Sequence, residues 1–244
     1  MTLRILLPLL VAIVASAEIN PKITIHTYVR EDIFAGWMAN DMDRFAQGEK
    51  KLDEVLQSRP AERGSVLAWQ GGSALFRAVT ALKANRMDEF ESQYAKTLKL
   101  FAEAETFGMK DPGVFAAMGG SYGLFADRLP EQYRAAAWAK AYQCYSILAK
   151  AQMPAVEQLP LHLKGEMLGG MAQSAQRTGH EEEMTAFLDK MTTLLAGTPY
   201  ASRAAKWKEN PAVAAKTSLV CQSCHDGGRL EPTLARLQKA AESK

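Results

Sequence analysis

Apolar residues recur three or four positions apart along most of the chain, and polar residues fill the positions between them. Trp69, Phe76 and Val79 are one such set, and side chains at this spacing share one face of an α-helix. No convincing alternation of apolar and polar residues predicts a sheet. The brief stretch at residues 23–25 is expected to be an extended lead-in. The pattern therefore predicts an all-α protein.

A pair of adjacent glycines recurs three times within the helical pattern, at residues 71–72, 119–120 and 169–170. The second glycines of successive pairs are 48 and 50 residues apart. A glycine inside a helix costs up to about 1 kcal/mol relative to alanine, so a pair calls for compensation. Close approach of a neighbouring helix is the simplest form of it. Each pair therefore predicts a tight helix–helix contact.

Each glycine-containing helix is followed by a short polar break and a second amphipathic segment, which predicts a helical hairpin. The breaks lie at residues 85–88, 127–130 and 177–180. An earlier hairpin is expected over residues 31–56, with Gly48 near its turn. A single hairpin cannot bury its apolar face, and stacking provides a continuous core. We expect a compact α-solenoid of about four hairpins.

The predicted hairpins over residues 65–200 resemble the tetratricopeptide-repeat (TPR) family. The sequence Arg-Thr-Gly-His-Glu-Glu at residues 177–182 is similar to that family's inter-helix turn, and Trp69 with a small residue nearby is similar to its first helix. The spacing here is longer than the usual repeat of about 34 residues. The resemblance implies a TPR-like helical domain over residues 18–208, and no binding residue is carried over from it.

The first residues predict export from the cytoplasm. An apolar run follows Arg4 and ends at Ala-Ser-Ala, residues 15–17, which is the small-x-small pattern of signal-peptide cleavage. Residues 1–17 are therefore interpreted as a signal peptide, and we expect a periplasmic or secreted protein. The run is much shorter than the roughly 20 residues that span a bilayer, and no later segment is apolar for that long. We expect no membrane span.

Charge indicates little affinity for polyanions. Without residues 1–17 the chain carries 28 basic and 27 acidic side chains. No clustered basic face is visible in the sequence, and phosphate backbones require one. We therefore expect no nucleic-acid partner.

The strongest chemical motif lies near the C-terminus, where residues 221–225 read Cys-Gln-Ser-Cys-His. This Cys-x-x-Cys-His sequence resembles the attachment motif of c-type cytochromes. The resemblance implies one covalent haem c, with thioether bonds to Cys221 and Cys224 and with His225 as the proximal iron ligand. Such attachment takes place outside the bacterial cytoplasm, in agreement with the predicted export. Residues 209–244 are accordingly interpreted as a haem-attachment segment.

Two other interpretations of the cysteine pair have less support. A structural zinc ion needs four ligands, and the sequence offers no second Cys-x-x-Cys or paired histidines. A thioredoxin-like redox pair would lie in a βαβ context, which the helical pattern lacks.

The sixth iron ligand is expected upstream of the motif, because the 19 residues after His225 contain neither Met nor His. Among the upstream histidines, His180 lies at a predicted turn and His162 could face solvent. His26 is our candidate distal ligand by elimination, and an open or water-bound iron is the alternative. Downstream, Arg229 could pair with a haem propionate or be a solvated surface residue.

These features predict an extracytoplasmic monohaem electron-transfer protein. We expect it to exchange electrons with redox partner proteins and to act as an electron carrier rather than as an enzyme. The alternative is a protein-interaction scaffold or haem-based sensor, in which the haem is structural or sensory. A haem enzyme such as a peroxidase would need an open distal side. A further alternative is a sixth ligand supplied by another copy of the chain, which would give a homo-oligomer or filament through the haem-bearing arm.

Overall fold

The computed structural model describes residues 24–108 and 111–220 of the 244-residue chain. All regular elements in these residues are helices, which confirms the predicted all-α class. None of these helices is long and apolar enough to cross a bilayer. The ten α-helices are α1 (Ile25–Ala39), α2 (Met42–Ser58), α3 (Arg63–Lys83), α4 (Met87–Gly108), α5 (Pro112–Phe125), α6 (Glu131–Gln152), α7 (Leu161–Arg177), α8 (Glu181–Leu194), α9 (Pro199–Glu209) and α10 (Pro211–Ala214).

Consecutive helices pack in pairs, α1 with α2, α3 with α4, α5 with α6, and α7 with α8. Further contacts of α3 with α5 and of α6 with α7 join successive pairs. The described residues therefore contain the four predicted hairpins, stacked around a shared apolar core.

Two of the predicted breaks are turns with a left-handed residue. Asn85 has φ 57° just before α4, and Gly179 has φ 78° just before α8. Asparagine and glycine tolerate this backbone region better than other residues. In the third break, a short 3₁₀ turn at Ala126–Arg128 leads to Pro130, and α6 begins at the next residue.

The first hairpin turns at a different place from the predicted one. Its turn is formed by Asn40, with φ 57°, and by Asp41, whose side chain accepts a hydrogen bond of 3.1 Å from the Arg44 N–H. The turn predicted at Gly48 is wrong, because Gly48 lies inside α2. A Cβ there would lie 2.9 Å from Cδ1 of Ile33, so this glycine permits close packing of α1 and α2.

The extended lead-in is also shorter than predicted. Thr24 is extended and caps α1, accepting a hydrogen bond of 3.3 Å from the Thr27 N–H, and α1 begins at Ile25. His26, which the sequence had placed ahead of the first hairpin, therefore lies in the first turn of α1. A threonine N-cap explains why the helix begins so early.

The glycine pairs form the close helix contacts that the sequence predicted. Gly71 of α3 lies directly against the ring of Phe101 in α4. Tyr145 of α6 fills the space beside two of the other glycines, Gly119 of α5 and Gly170 of α7. A Cβ at Gly119 would lie 3.2 Å from Cδ2 of Tyr145. The helices approach closely because large aromatic rings occupy the space that glycine leaves free.

Candidate functional site

Five helices, α1, α3, α5, α6 and α7, surround an open pocket of about 110 Å³. This volume is smaller than that of most small-molecule and cofactor sites, roughly 300–1,000 Å³. We call it the aromatic pocket. It is lined by His26, Arg30, Phe34, Trp37, Trp69, Ala116, Ala117, Gly120, Ser121, Tyr145, Leu148, Gln152, His162, Leu163, Glu166 and Met167.

Three aromatic rings form one wall of this pocket. Trp37 and Trp69 stack with their centroids 6.1 Å apart and an interplanar angle of 27°. The ring of Phe34 meets both indoles edge-on, at 4.9 Å from Trp37 and 6.0 Å from Trp69. Each ring holds the others in place, so the wall is rigid and apolar. Such a surface suits a flat apolar ligand.

His26 projects into the pocket from the start of α1, which is fixed at both sides. Thr24 caps the helix, and the backbone N–H of Ile25 donates a hydrogen bond of 3.0 Å to Oε2 of Glu62. The His26 ring lies 5.2 Å from the Trp69 ring. Its Nε2 atom is buried and has no hydrogen-bond partner among the described residues.

The imidazole of His26 is neutral at physiological pH. Burial, together with smaller contributions from the positive charge of Arg30 and from the His162 ring, lowers the pKa of His26 from 6.5 to about 3. A neutral imidazole is the form that binds a metal ion. Among the described residues the indole N–H of Trp37 in the same pocket is also without a partner, and an ordered water or a ligand would satisfy such groups.

A second histidine, His162 at the start of α7, lines the same pocket rather than facing solvent. Its Nδ1 lies 3.1 Å from the hydroxyl of Tyr200, and that hydroxyl lies 3.2 Å from Oε1 of Glu166. Burial and Arg30 lower the pKa of His162 to about 4. The pocket therefore contains two neutral imidazoles with different neighbours.

The third upstream histidine, His180, lies outside the pocket lining. Its Nδ1 lies 2.8 Å from Oγ1 of Thr178, and its ring stacks on Tyr142 at 4.4 Å and 4°. These contacts explain His180 as a structural residue of the turn before α8, as its position in the sequence suggested.

Arg30 places a positive charge in the pocket, beside its apolar aromatic wall. It lies one helical turn after His26 on α1, and only 8% of its surface is exposed. A buried guanidinium is stable where it meets carboxylate or other acceptor groups. Glu166 supplies one carboxylate in the same pocket lining. The pocket thus combines an apolar wall with a few convergent polar groups.

The segment after α10, residues 215–220, leads toward residue 221 and is called the linker. Its last residues are bound by the amide of Gln173 in α7, a side chain only 2% exposed. Oε1 of Gln173 accepts hydrogen bonds from the backbone N–H of Leu219 at 2.8 Å and of Val220 at 3.3 Å. It also accepts one from the hydroxyl of Ser218 at 3.0 Å.

The start of the linker is bound one turn further along α7. Arg177 donates hydrogen bonds of 2.8 Å to the carbonyl oxygen of Ala214 and of 3.1 Å to that of Thr217. Its guanidinium also lies over the rings of Trp138 and Trp207. Arg177 and Gln173 are four residues apart and so share one face of α7.

These contacts give the linker a direction. It runs opposite to α7, from Arg177 past Gln173, until Leu219 packs against Gly169, where a Cβ would lie 3.5 Å from Cβ of Leu219. Met167 and Glu166, which precede Gly169 on α7, line the aromatic pocket. The end of the linker and the pocket therefore lie along the same helix.

Tyr145 borders both the pocket and the linker's end. Its ring lines the pocket, and its hydroxyl lies 3.8 Å from a Cβ built on Gly120. One turn along α5, a Cβ on Gly123 would lie 3.9 Å from Cε2 of the same ring and 3.6 Å from Cγ2 of Val220. Tyr145 and Val220 therefore both lie next to Gly123 of α5.

Of the site residues predicted from the sequence, Cys221, Cys224, His225 and Arg229 lie outside the described residues, as do residues 1–17. His26 is described and lies in the pocket. Sequence reasoning did not identify Glu166 and Gln173 of α7 or Tyr145 of α6 as site residues. For Arg30 the sequence offers one signal: it lies four residues after His26, a spacing that places both side chains on one face of a helix.

Comparison with protein-family models, with curated proteins and with solved structures finds no match to this chain. Membership of the TPR family therefore stays a prediction.

Proposed function

We propose that this chain is an exported monohaem c-type electron-transfer protein. Haem c is bonded to Cys221 and Cys224, His225 is the proximal ligand, and His26 is the sixth ligand. One observation supports this proposal beside the motif at residues 221–225: His26 lines the aromatic pocket, and its buried Nε2 has no hydrogen-bond partner among the described residues.

Some side chains of the aromatic pocket have the chemistry that such a group needs, but the pocket's volume of about 110 Å³ is smaller than a whole macrocycle. The Trp37–Trp69–Phe34 wall suits a planar apolar macrocycle, and His26 supplies a nitrogen donor in its neutral form. Arg30 supplies a positive charge for a carboxylate, in the role that the sequence suggested for Arg229. When bound, the haem iron supplies one-electron exchange.

The chain's own residues would favour electron transfer over substrate chemistry. The capped start of α1 holds His26 in a fixed position, and the aromatic wall excludes water from its Nε2. An iron with two fixed imidazoles has no position left for a substrate. The partners we propose are therefore redox proteins that exchange one electron.

The test is to produce the chain in a host that matures c-type cytochromes and to measure its intact mass and absorption spectrum. We expect the mass of the processed chain plus one haem, and a six-coordinate low-spin spectrum. His26→Ala should convert the spectrum to high-spin. His180→Ala is the matched control and should leave it low-spin, because that ring serves the turn. A bare polypeptide mass would refute the proposal.

The alternative functions give different spectra. A five-coordinate iron that binds CO in the wild-type protein would favour a sensor or a haem enzyme. A low-spin spectrum that survives His26→Ala but depends on protein concentration would indicate a ligand from a second copy of the chain.

A further inference from the structure

Gly120 of α5 is a helical glycine that helix packing does not require. For a Cβ built on it, the nearest atom from another helix would be the hydroxyl oxygen of Tyr145, at 3.8 Å. The adjacent Gly119 differs, because a Cβ there would lie 3.2 Å from Cδ2 of the same ring. Glycine inside a helix is less favourable than alanine. The chain therefore gives up helix stability at Gly120 where an alanine would fit.

The space beside Gly120 belongs to the aromatic pocket. Gly120 lines this pocket together with two other small residues of α5, Ala116 and Ala117, and a larger side chain at any of them would reduce its volume of about 110 Å³. An apolar cavity of about 150 Å³ binds benzene. The aromatic pocket is thus close to the size of a single six-membered ring.

The pocket opens to solvent beside an apolar side chain. Leu163 at the start of α7 lines the pocket, yet 42% of its surface is exposed. Inside, the Trp37–Trp69–Phe34 wall offers flat ring surfaces, and aromatic rings pack favourably on one another, edge-on or stacked with an offset. The rim and the wall therefore both favour an aromatic ligand.

The charges of the lining favour a ligand without charge. Among the lining residues only Arg30 and Glu166 carry a charge, and their charges are opposite in sign. The imidazoles of His26 and His162 are neutral, since burial lowers their pKa values to about 3 and about 4. A charged ligand would lose its water and meet no net opposite charge in return.

We propose that the aromatic pocket binds an uncharged molecule built on one aromatic ring, and that Gly120 leaves room for this ring. Such binding requires neither a haem nor the cysteine motif, and it is a second activity beside electron transfer.

Toluene is the probe, and the full chain is produced in a host that does not attach haem c. Isothermal titration calorimetry measures the affinity, and urea unfolding measures the stability of each variant. We expect the wild-type chain to bind one toluene. Benzoate, which is the same ring with a negative charge, should bind at least about tenfold more weakly, because its carboxylate loses hydration.

Gly120→Ala separates loss of pocket volume from damage to the fold. Its Cβ would enter the pocket without a clash, so the variant should be at least as stable as the wild type and bind toluene about tenfold more weakly. Gly123→Ala is the matched control: it lies one turn along α5, outside the pocket lining, and its Cβ would make an ordinary contact of 3.6 Å with Cγ2 of Val220. It should bind toluene like the wild type. Ala117→Leu fills more of the pocket and should abolish measurable binding.

No saturable binding of toluene to the wild type would overturn the proposal, as would equal affinities of the wild type, Gly120→Ala and Ala117→Leu. Benzoate that binds as tightly as toluene would overturn the assignment of an uncharged ligand. A destabilised Gly120→Ala would contradict the role given to Gly120, and if Ala117→Leu does not fold, Gly120→Ala alone decides. None of these outcomes depends on haem attachment, so the proposed function stands or fails separately.

Discussion

The ring of Tyr145 occupies the space that a Cβ on Gly170 would need. The neighbouring Gly169 has more room, since its nearest contact would be Cβ of Leu219 at 3.5 Å. Two adjacent glycines of α7 therefore have different reasons for lacking a side chain. Tyr145 also lines the aromatic pocket, so its contact with Gly170 connects the packing of the core with the candidate site.

Gly170→Ala is expected to destabilise the protein by about 1–3 kcal/mol, the usual cost of overpacking, because the Tyr145 ring must move. Gly169→Ala is the matched control and should be neutral or slightly stabilising, since alanine is the better helix former. Urea unfolding of both variants measures the difference. Equal unfolding free energies for the two variants would contradict this interpretation of the glycine pair.

Stability should fall as the pH falls from about 6.5 toward 3. The pKa of His26 is lowered from 6.5 to about 3 in the folded protein, so the unfolded chain binds its proton first and is favoured within that window. One such histidine contributes at most about 1.4 kcal/mol per pH unit. His162 acts in the same direction between about 6.5 and 4.

Urea unfolding at pH 7, 6, 5 and 4 tests this expectation on wild type and on His26→Gln. The glutamine does not titrate, so the variant should show a shallower dependence on pH. Identical slopes would mean that the His26 ring is protonated as easily in the folded state as in the unfolded state.

Cys144 should not react with thiol reagents in the native protein. It is only 1% exposed, and burial raises the pKa of its thiol to about 12. The chain has three cysteines, so after unfolding a haem-loaded chain should release one reactive thiol. Three reactive thiols after unfolding would show that Cys221 and Cys224 carry no thioether bonds. Rapid labelling of native protein would contradict the burial of Cys144.

Arg177→Met should destabilise the protein by about 2 kcal/mol or more, because the carbonyl oxygens of Ala214 and Thr217 lose a charged donor. Arg128→Met is the control: Arg128 is exposed and lies over one ring, that of Phe125. We expect an effect within about 0.5 kcal/mol there. Limited proteolysis should cut the linker faster in Arg177→Met. Equal stability of the two variants would contradict the role of Arg177 in holding the linker.

The helices and hairpins could be predicted because their signals are local. Periodicity places the apolar face, and the breaks around Asn85 and Gly179 use residues that adopt a left-handed backbone easily. The first turn was misplaced for the same reason: Asn40 provides that backbone, whereas Gly48 serves a packing contact that only the folded chain reveals.

The candidate site was only partly predictable, because its residues come from distant parts of the chain. Histidine is rare here, with four in the whole sequence, so elimination led to His26. Elimination could not show that His162 would lie in the same pocket, nor that Gln173 would bind the linker. Neither relation leaves a pattern in sequence spacing, since each depends on how α7 packs against α1 and the C-terminal segment.

The order of the elements along the chain has a consequence for biosynthesis. Every residue that lines the aromatic pocket precedes residue 168, the two side chains that bind the linker come next, and the linker itself follows. Because a chain is synthesised from its N-terminus, all residues of the aromatic pocket emerge before Cys221 and Cys224. If the proposed haem attachment takes place, the attachment machinery would act on a chain in which every pocket-lining residue is already present.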